Sequence, residues 1–435
     1  METMLFRSDK KRIKPIQTKS LKDLTSILAP ALLLADGKRQ ELLLKITKSS
    51  GFEASRFDNF CLSLIYRVAN YCQNLPETSN SYYSQPGGLL DHALNRTQAA
   101  LQIFRQFIAQ GEEGELSEEQ KLWLYALFSA AMLQGIGKLQ VDYCLHLFDS
   151  NGQLIKQWQP LLETMDGMGN YYNYEFQKNN DDDLRRRLNL LLARQIMPAN
   201  GFAWITSNPQ VLAIWLALLD EDSGSMTTLR AILERADAIA IQNSWNDLIN
   251  NNPHGRLGRG GRIGTFIDAT PDYSPAQERL IAADFIRWVA DALAKGLFVM
   301  NQPPFALVAG GMLMTPEVFK FFARHHHEYK NWLAVQKGFL SLGIHVKGAD
   351  GNALSRVQHK NETLEGILVE KYEMLLPEQL QVKNSHTNEV TTVKSIELTH
   401  QQGGAVLHQL SLQGQWQPMP EAPAVHMRMG NKLGG

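Results

Sequence analysis

The side chains of this sequence that could do chemistry are few and far apart. His92 falls one turn into a helix that opens at the Pro86-Gly87-Gly88 step. A second cluster, Gln134-Gly135-Ile136-Gly137-Lys138, closes an apolar run, and Ala236-Asp237 lies about a hundred residues further on. A histidine and carboxylates gathered by folding could hold a divalent ion, which polarises phosphoryl oxygens and drives bound water towards hydroxide. Each residue also has a plainer reading. His92 fits a hydrogen-bonded core histidine, and Asp237 fits a helix carboxylate paired with Arg235 or Lys138. Gly137-Lys138 fits a helix C-cap with a cation beside the last carbonyls; Lys138 on a phosphate is the bolder option. Tyr82-Tyr83 offers a hydroxyl nucleophile, but that needs an activating partner in reach. His325-His326-His327 lacks the His-hydrophobe-His form that would hold a metal beside it, and suits a solvated helix end. The tyrosine pair therefore reads as loop packing.

The elements that must position these residues are mostly helices. Leu89, Leu90, Ala93, Leu94, Thr97, Leu101, Phe104 and Ile108 share one face of the helix carrying His92. The run from Lys121 to Met132 is apolar nearly all round, as in a helix at the middle of a bundle. Further helices are predicted at about 182–197, 209–219 and 226–248, and the region reads as all-α. The stretch 251–274 breaks the pattern with Gly and with Arg256, Arg259 and Arg262, and reads as a linker. Beyond Pro275 the texture is mixed. A helix over 276–295 precedes extended runs at 297–300, 305–308 and 312–314. A helix follows Thr315-Pro316, with Thr as N-cap, another spans about 328–338, and strands are expected at 344–347 and 353–357. The predicted organisation is a helical region over 1–250, the linker over 251–274, an α+β winged-helix-like module over 275–400 and a loose tail over 401–435.

Composition excludes several classes. With 43 Lys+Arg against 44 Asp+Glu and 44% hydrophobic residues, the 435-residue chain is neither disordered nor fibrous. Ile27–Ala35 falls short of the roughly 18 residues a membrane span needs, and no secretory signal is read at the start, so no membrane partner is expected. Cys61, Cys72 and Cys144 form no CxxC and suit a reducing cytoplasm. A nucleic-acid partner must be sought locally. Residues 276–360 carry ten Lys and Arg against six acids, an excess of four. Lys320, Arg324, Lys330 and Lys337, with the three linker arginines, are the candidate phosphate-binding residues; a solvated face and a basic tether are the competing readings.

Several strings carry a resemblance. His92 after Pro-Gly-Gly, Gln134 to Lys138 and Ala236-Asp237 resemble the HD-hydrolase pattern. Leu75 to His92, Trp158-Gln159-Pro160-Leu161, Met197-Pro198 and Gly201-Phe202-Ala203-Trp204 are similar to HD-type conjugative relaxases, the MobH or TraI-like class of integrative conjugative elements and plasmids. Phe285-Ile286-Arg287-Trp288, Gly296 to Asn301, Met314 to Phe319 and Trp332 to Lys337 resemble the C-terminal domain of the same family. The resemblance implies an HD-like helical domain, a metal site, and DNA as partner.

The departures matter equally. The resemblance implies a His-His pair before Pro-Gly-Gly, where Tyr82-Tyr83 stand, and a His-Asp pair where Gln134-Gly135 stand. A further histidine is implied before Ala-Asp, yet none occurs from Leu147 to Pro253. His92 and Asp237 are the surviving candidate ligands. A catalytic ion needs at least about three protein ligands and an open position, so the expectation is no bound metal or other cofactor. The protein then reads as a DNA-binding, relaxase-related component of conjugative transfer, with His92, Gln134, Lys138 and Asp237 marking a vestigial catalytic pocket. Two alternatives stay open. One is an active metal-dependent nickase or phosphohydrolase completing its ligand set with Asp91, Asp142 or Gln134. The other is an assembly or regulatory subunit that pairs with other conjugation proteins or itself.

Overall fold

The computed structural model describes residues 18–108, 116–177, 181–221, 227–251, 274–326, 329, 331–347, 352–359, 362–384 and 387–398. The protein is mainly α, with small antiparallel sheets. In the first half, α1 (Pro30–Leu33), α2 (Gly37–Ser50), α3 (Ala54–Phe57) and α4 (Ser63–Cys72) precede α5 (Gly88–Ile108), α6 (Glu118–Leu133) and the single turn α7 (Lys138–Val141). Then come α8 (Asp182–Ile196), α9 (Ala199–Thr206), α10 (Pro209–Asp220) and α11 (Thr228–Asn251).

Several long helices start where a side chain satisfies the orphan N–H groups of a first turn. Asp36, Asp181 and Asn208 accept from α2, α8 and α10, while Ser117 and Gln120 form a capping box on α6. Every residue of α6 from Leu122 to Leu133 is buried, as its all-round apolar sequence predicts. Of the two hydroxyls in that stretch, Ser129 Oγ donates to the Ala126 carbonyl and accepts from Trp215 Nε1 at 2.9 Å. The span Glu118–Val141 is long and apolar enough to cross a membrane, and 89% of its most apolar window is buried inside the fold.

The first half is not all-α. β1 (Thr25–Ser26), β2 (Tyr143–Phe148), β3 (Leu154–Gln157) and β4 (Tyr171–Phe176) form an antiparallel sheet in the order β1-β4-β2-β3. The cause is local. Tyr143, Leu145 and Leu147 alternate inward and are buried, and the Asn151-Gly152 turn brings the chain back into β3.

The second half contains α12 (Pro275–Ala294), β5 (Phe305–Val308), β6 (Gly311–Met314), α13 (Glu317–His325), α14 (Trp332–Ser341), β7 (Ser355–His359) and β8 (Glu362–Val369). A 3₁₀ turn (Tyr372–Leu375) leads to the hairpin β9 (Gln379–Lys383) and β10 (Val390–Lys394). The larger sheet has the order β5-β6-β8-β7. Two expected strands are absent from the described residues. Of 297–300, only Met300 bridges to Val382, and 344–347 is coil held by Val346 N–H on the Leu368 carbonyl at 2.8 Å. Pro316, not Thr315, occupies the N-cap of α13, and Asn331 caps α14 a few residues later than expected.

The two halves share α11. Leu229, Ile232, Leu233 and Ala236 at its start join the bundle core, whereas Ala238, Ile241, Trp245 and Ile249 join the second core around Phe285, Phe319 and Phe339. Gln242 Nε2 donates to the Met374 and Leu376 carbonyls, and Arg235 reaches the latter as well. Arg279 Nη1 donates to Ser84 Oγ at 2.6 Å, and Asn80 Nδ2 to the Ser341 carbonyl at 2.7 Å.

Candidate functional site

The loop before α5 sets the site. Glycine is needed at Gly88 because a Cβ there would lie 1.9 Å from the Tyr83 carbonyl oxygen. This close approach folds residues 77–83 over the first turn of α5, with Glu77 N–H donating to the Tyr83 carbonyl at 2.8 Å. Tyr83 then stacks on His92 at 5.0 Å between ring centroids, and Tyr82 meets the same imidazole edge-on at 5.6 Å. Tyr83 Oη donates to the Ala240 carbonyl, which fixes this ring against α11. The tyrosines are indeed packing, but against the histidine itself.

His92 is 3% exposed and sits between two carboxylates. Its Nε2 is 3.0 Å from Asp237 Oδ1 and its Nδ1 3.4 Å from Glu77 Oε1, at ion-pair distances without well-aligned hydrogen-bond angles. Each carboxylate has a second cation. Lys138 Nζ contacts Glu77 Oε1, and Arg96 Nη1 contacts Asp237 Oδ1 at 3.0 Å. The result is an unbranched row of alternating sign, Lys138–Glu77–His92–Asp237–Arg96. Burial works against charge throughout it, yet the opposite charges prevail. Asp237 and Glu77 together raise the pKa of His92, while His92 with Arg96 and with Lys138 holds the two carboxylates far below their usual range.

Arg96 is where the structure adds most to the sequence reading. It lies one turn beyond His92 on α5, and its Nε and Nη2 donate to the Ala131 and Gln134 carbonyls at 2.8 and 2.9 Å. It, rather than Lys138, is the cation at the end of α6, where the helix dipole favours positive charge. Lys138 is instead drawn to Glu77. Gly137 permits this turn: its N–H donates to Asn189 Oδ1 at 2.7 Å, and a Cβ would meet the Arg185 carbonyl at 2.2 Å. The i+4 spacing of Arg96 from His92 was a visible signal for it; Glu77, in a loop, left none.

Of the other candidate residues, Gln134 supplies a backbone carbonyl to Arg96, and its side-chain Oε1 is buried without a hydrogen-bond partner. Asp91 turns away, to Arg39 Nε at 2.7 Å. Asp142 faces a cleft of about 550 Å³ together with Glu77, Tyr82, Lys138, Arg185 and Lys371, and burial raises its pKa. Among the described residues no group of three or more His, Cys, Asp or Glu side chains is arranged to hold a metal ion. The chemistry of the donors explains the misfit: Glu77 and Asp237 each already face two cationic side chains, and an ion placed among them would meet Lys138 and Arg96. The residues present do not fit a divalent ion.

The second half presents a different surface. Lys320 Nζ lies 5.1 Å from the Trp332 ring centre and 3.8 Å from Glu317 Oε1, and the Arg324 guanidinium lies 5.9 Å from the Phe321 ring centre. Lys337 pairs with Glu278 at 2.9 Å. Arg256, Arg259, Arg262, Lys330 and the 401–435 tail lie outside the described residues. His325 Nδ1 is 2.8 Å from the Phe321 carbonyl and His326 stacks on Phe322 at 4.3 Å, so neither adjoins Tyr82.

A helical bundle docked through one shared helix onto an α+β module, with an ion-pair row sealed around a histidine, defines a two-part protein of mainly α class. Residues 25–265 match the TraI_2 family, described as "Putative helicase", and residues 280–389 match TraI_2_C, described as "Putative conjugal transfer nickase/helicase TraI C-term". The first match alone covers more than half of the chain. The protein belongs to this TraI-like family of conjugative relaxases, whose role is in conjugative DNA processing with DNA as the partner. A comparison with curated proteins finds no match. The sequence contains no GxxxxGK[ST] phosphate-binding loop to accompany the helicase description.

Proposed function

We propose that this protein is a DNA-binding, relaxase-related component of conjugative transfer in which an HD-like pocket has exchanged metal chemistry for internal ion pairing. The observation carrying this reading is the row Lys138–Glu77–His92–Asp237–Arg96, in which two basic side chains take the charge-balancing role of an ion. With Gln134-Gly135 in place of a His-Asp pair, the pocket has neither the donors for a cation nor a gap in its charge balance that a cation would fill. Its residues then act by position: they tie α5, α6 and α11 to the loop that opens at Glu77.

The connectivity of the second half supports a winged-helix-like module. α12, β6, α13, α14, β7 and β8 follow one another as helix, strand, helix, helix and a two-stranded wing, and the strands order β6-β8-β7. Such modules bind DNA through a helix and a wing. Lys320, Arg324 and Lys337 lie on α13 and α14, and the Arg256/Arg259/Arg262 segment precedes the module in the chain.

Elemental analysis and a supercoiled-plasmid nicking assay on the purified full chain test the reading. The expected result is substoichiometric transition metal and no relaxation with Mn²⁺ or Mg²⁺. One tightly held ion per chain, with nicking abolished by His92→Ala, overturns it in favour of the active enzyme.

A further inference from the structure

The face of α13 turned away from the core is built unlike the rest of the module. Phe321 is 37% exposed on it, and Leu297 and Leu333 are 65% and 44% exposed in the same module. Phe321 meets Phe298 at 5.6 Å between ring centres, Phe298 meets Trp288 at 5.7 Å, and Trp288 meets His325 at 6.3 Å, so four rings run on from one to the next. A fifth ring, Trp332 at the start of α14, lies 5.1 Å from Nζ of Lys320, the residue before Phe321 in the chain. The cations of α13 rest against rings: Lys320 near Trp332 and Arg324 near Phe321. The helix carries one acid, Glu317, whose approach to Lys320 is a loose 3.8 Å.

Two of these rings, Trp332 and Phe321, are partly open to solvent with a cation near each, and offer two things at one spacing. A nucleobase can stack on a ring face, and the displaced ammonium or guanidinium can swing to the phosphate that follows the base. Duplex DNA hides its base faces and can use only the cations. An apolar protein surface could cover Phe321 but would bury the two cations Lys320 and Arg324 against the single acid of the helix, Glu317. A single polynucleotide strand satisfies both halves of the surface.

Resting on the DNA-binding reading above, we infer that this ridge of α13 and the start of α14 is a stacking platform for single-stranded DNA, with Phe321 as its exposed phenyl ring and Lys320 and Arg324 as its phosphate contacts.

The test uses the full chain and fluorescent dT30 beside a 30-base-pair duplex, read by anisotropy across a salt series. Tighter binding of dT30 is expected. Phe321→Ala should weaken dT30 binding by about 5- to 150-fold, since one base–aromatic stack contributes roughly 1–3 kcal/mol, with the duplex hardly affected. Phe321→Trp should restore binding where Phe321→Leu, of similar bulk, does not. Lys320→Ala and Arg324→Ala should each lower the salt slope on dT30 by about 0.7. Equal or tighter duplex binding that Phe321→Ala leaves unchanged overturns the platform while DNA binding itself stands. Loss of binding to both DNAs in the wild type overturns both. A Phe321→Ala change in oligomeric state at unchanged dT30 affinity assigns the ridge to a second copy of the chain, and also overturns it.

Discussion

The pocket around His92 and the ridge on α13 use nearly the same residue types to opposite ends. In the pocket, Lys138, Arg96 and His92 are buried and each faces a carboxylate, so their charge is spent inside the protein. On the ridge, Lys320 and Arg324 lean on rings at the surface, and one loose carboxylate is their counterweight. A buried charge that is balanced locally fixes structure and resists exchange with a ligand; an exposed one resting on a π-face gives up little when a phosphate arrives. The difference teaches that the basic residues of this protein divide by burial, not by position in the sequence.

The sharpest way to break this contrast is to unbalance the pocket. Asp237→Ala leaves Arg96 and His92 facing each other in the interior, and should destabilise the fold by about 3–5 kcal/mol, seen as a lowered midpoint in chemical denaturation. A loss below 1 kcal/mol would mean that the row is solvated and the contrast false. Gly88→Ala comes next. A methyl group against the Tyr83 carbonyl must push the loop off α5, at a cost of about 2–3 kcal/mol, and should also free the tyrosine ring from His92.

Stability against pH gives a smaller effect with a definite sign. The pKa of His92 is raised by Asp237 and Glu77, so its contribution is complete below the unfolded value of about 6.5 and fades as pH rises through the folded value. Glu77 and Asp237 are depressed, so their contribution holds above the unfolded carboxylate range and fades only on acidification. Melting temperature should therefore fall in the wild type as pH rises above about 6.5, and His92→Gln should remove that slope. The smallest effect belongs to the ridge. Lys320→Ala and Arg324→Ala should each shift stability by less than about 0.5 kcal/mol, although both alter DNA binding. A large stability loss there would make those cations structural and erase the contrast from the other side.

Much of this was legible in the sequence for physical reasons that act locally. The all-round apolar run of α6 announced a central helix, and the helices expected at about 182–197 and 209–219 form at Asp182–Ile196 and Pro209–Asp220. The Tyr143–Phe148 strand was missed, because a short period-two alternation is a weak signal among long helical patterns. His92 and Asp237 stood out as residue types. Their partners did not, because Glu77 belongs to a loop with no period and Lys138 imitates an ordinary helix-terminal cation.

The sequence by itself determined which helices form, that their apolar faces require a bundle and a second core, and that Tyr82-Tyr83 and Gln134-Gly135 stand where the resemblance implies metal-donating side chains. Tertiary structure alone decided what became of those that do remain. Only packing brings residues 77, 92, 96, 138 and 237 within ion-pair distance. Only burial makes each charge depend on its neighbour, because the energy of a charge is set by the medium and the charges around it, neither of which is written in the order of the residues.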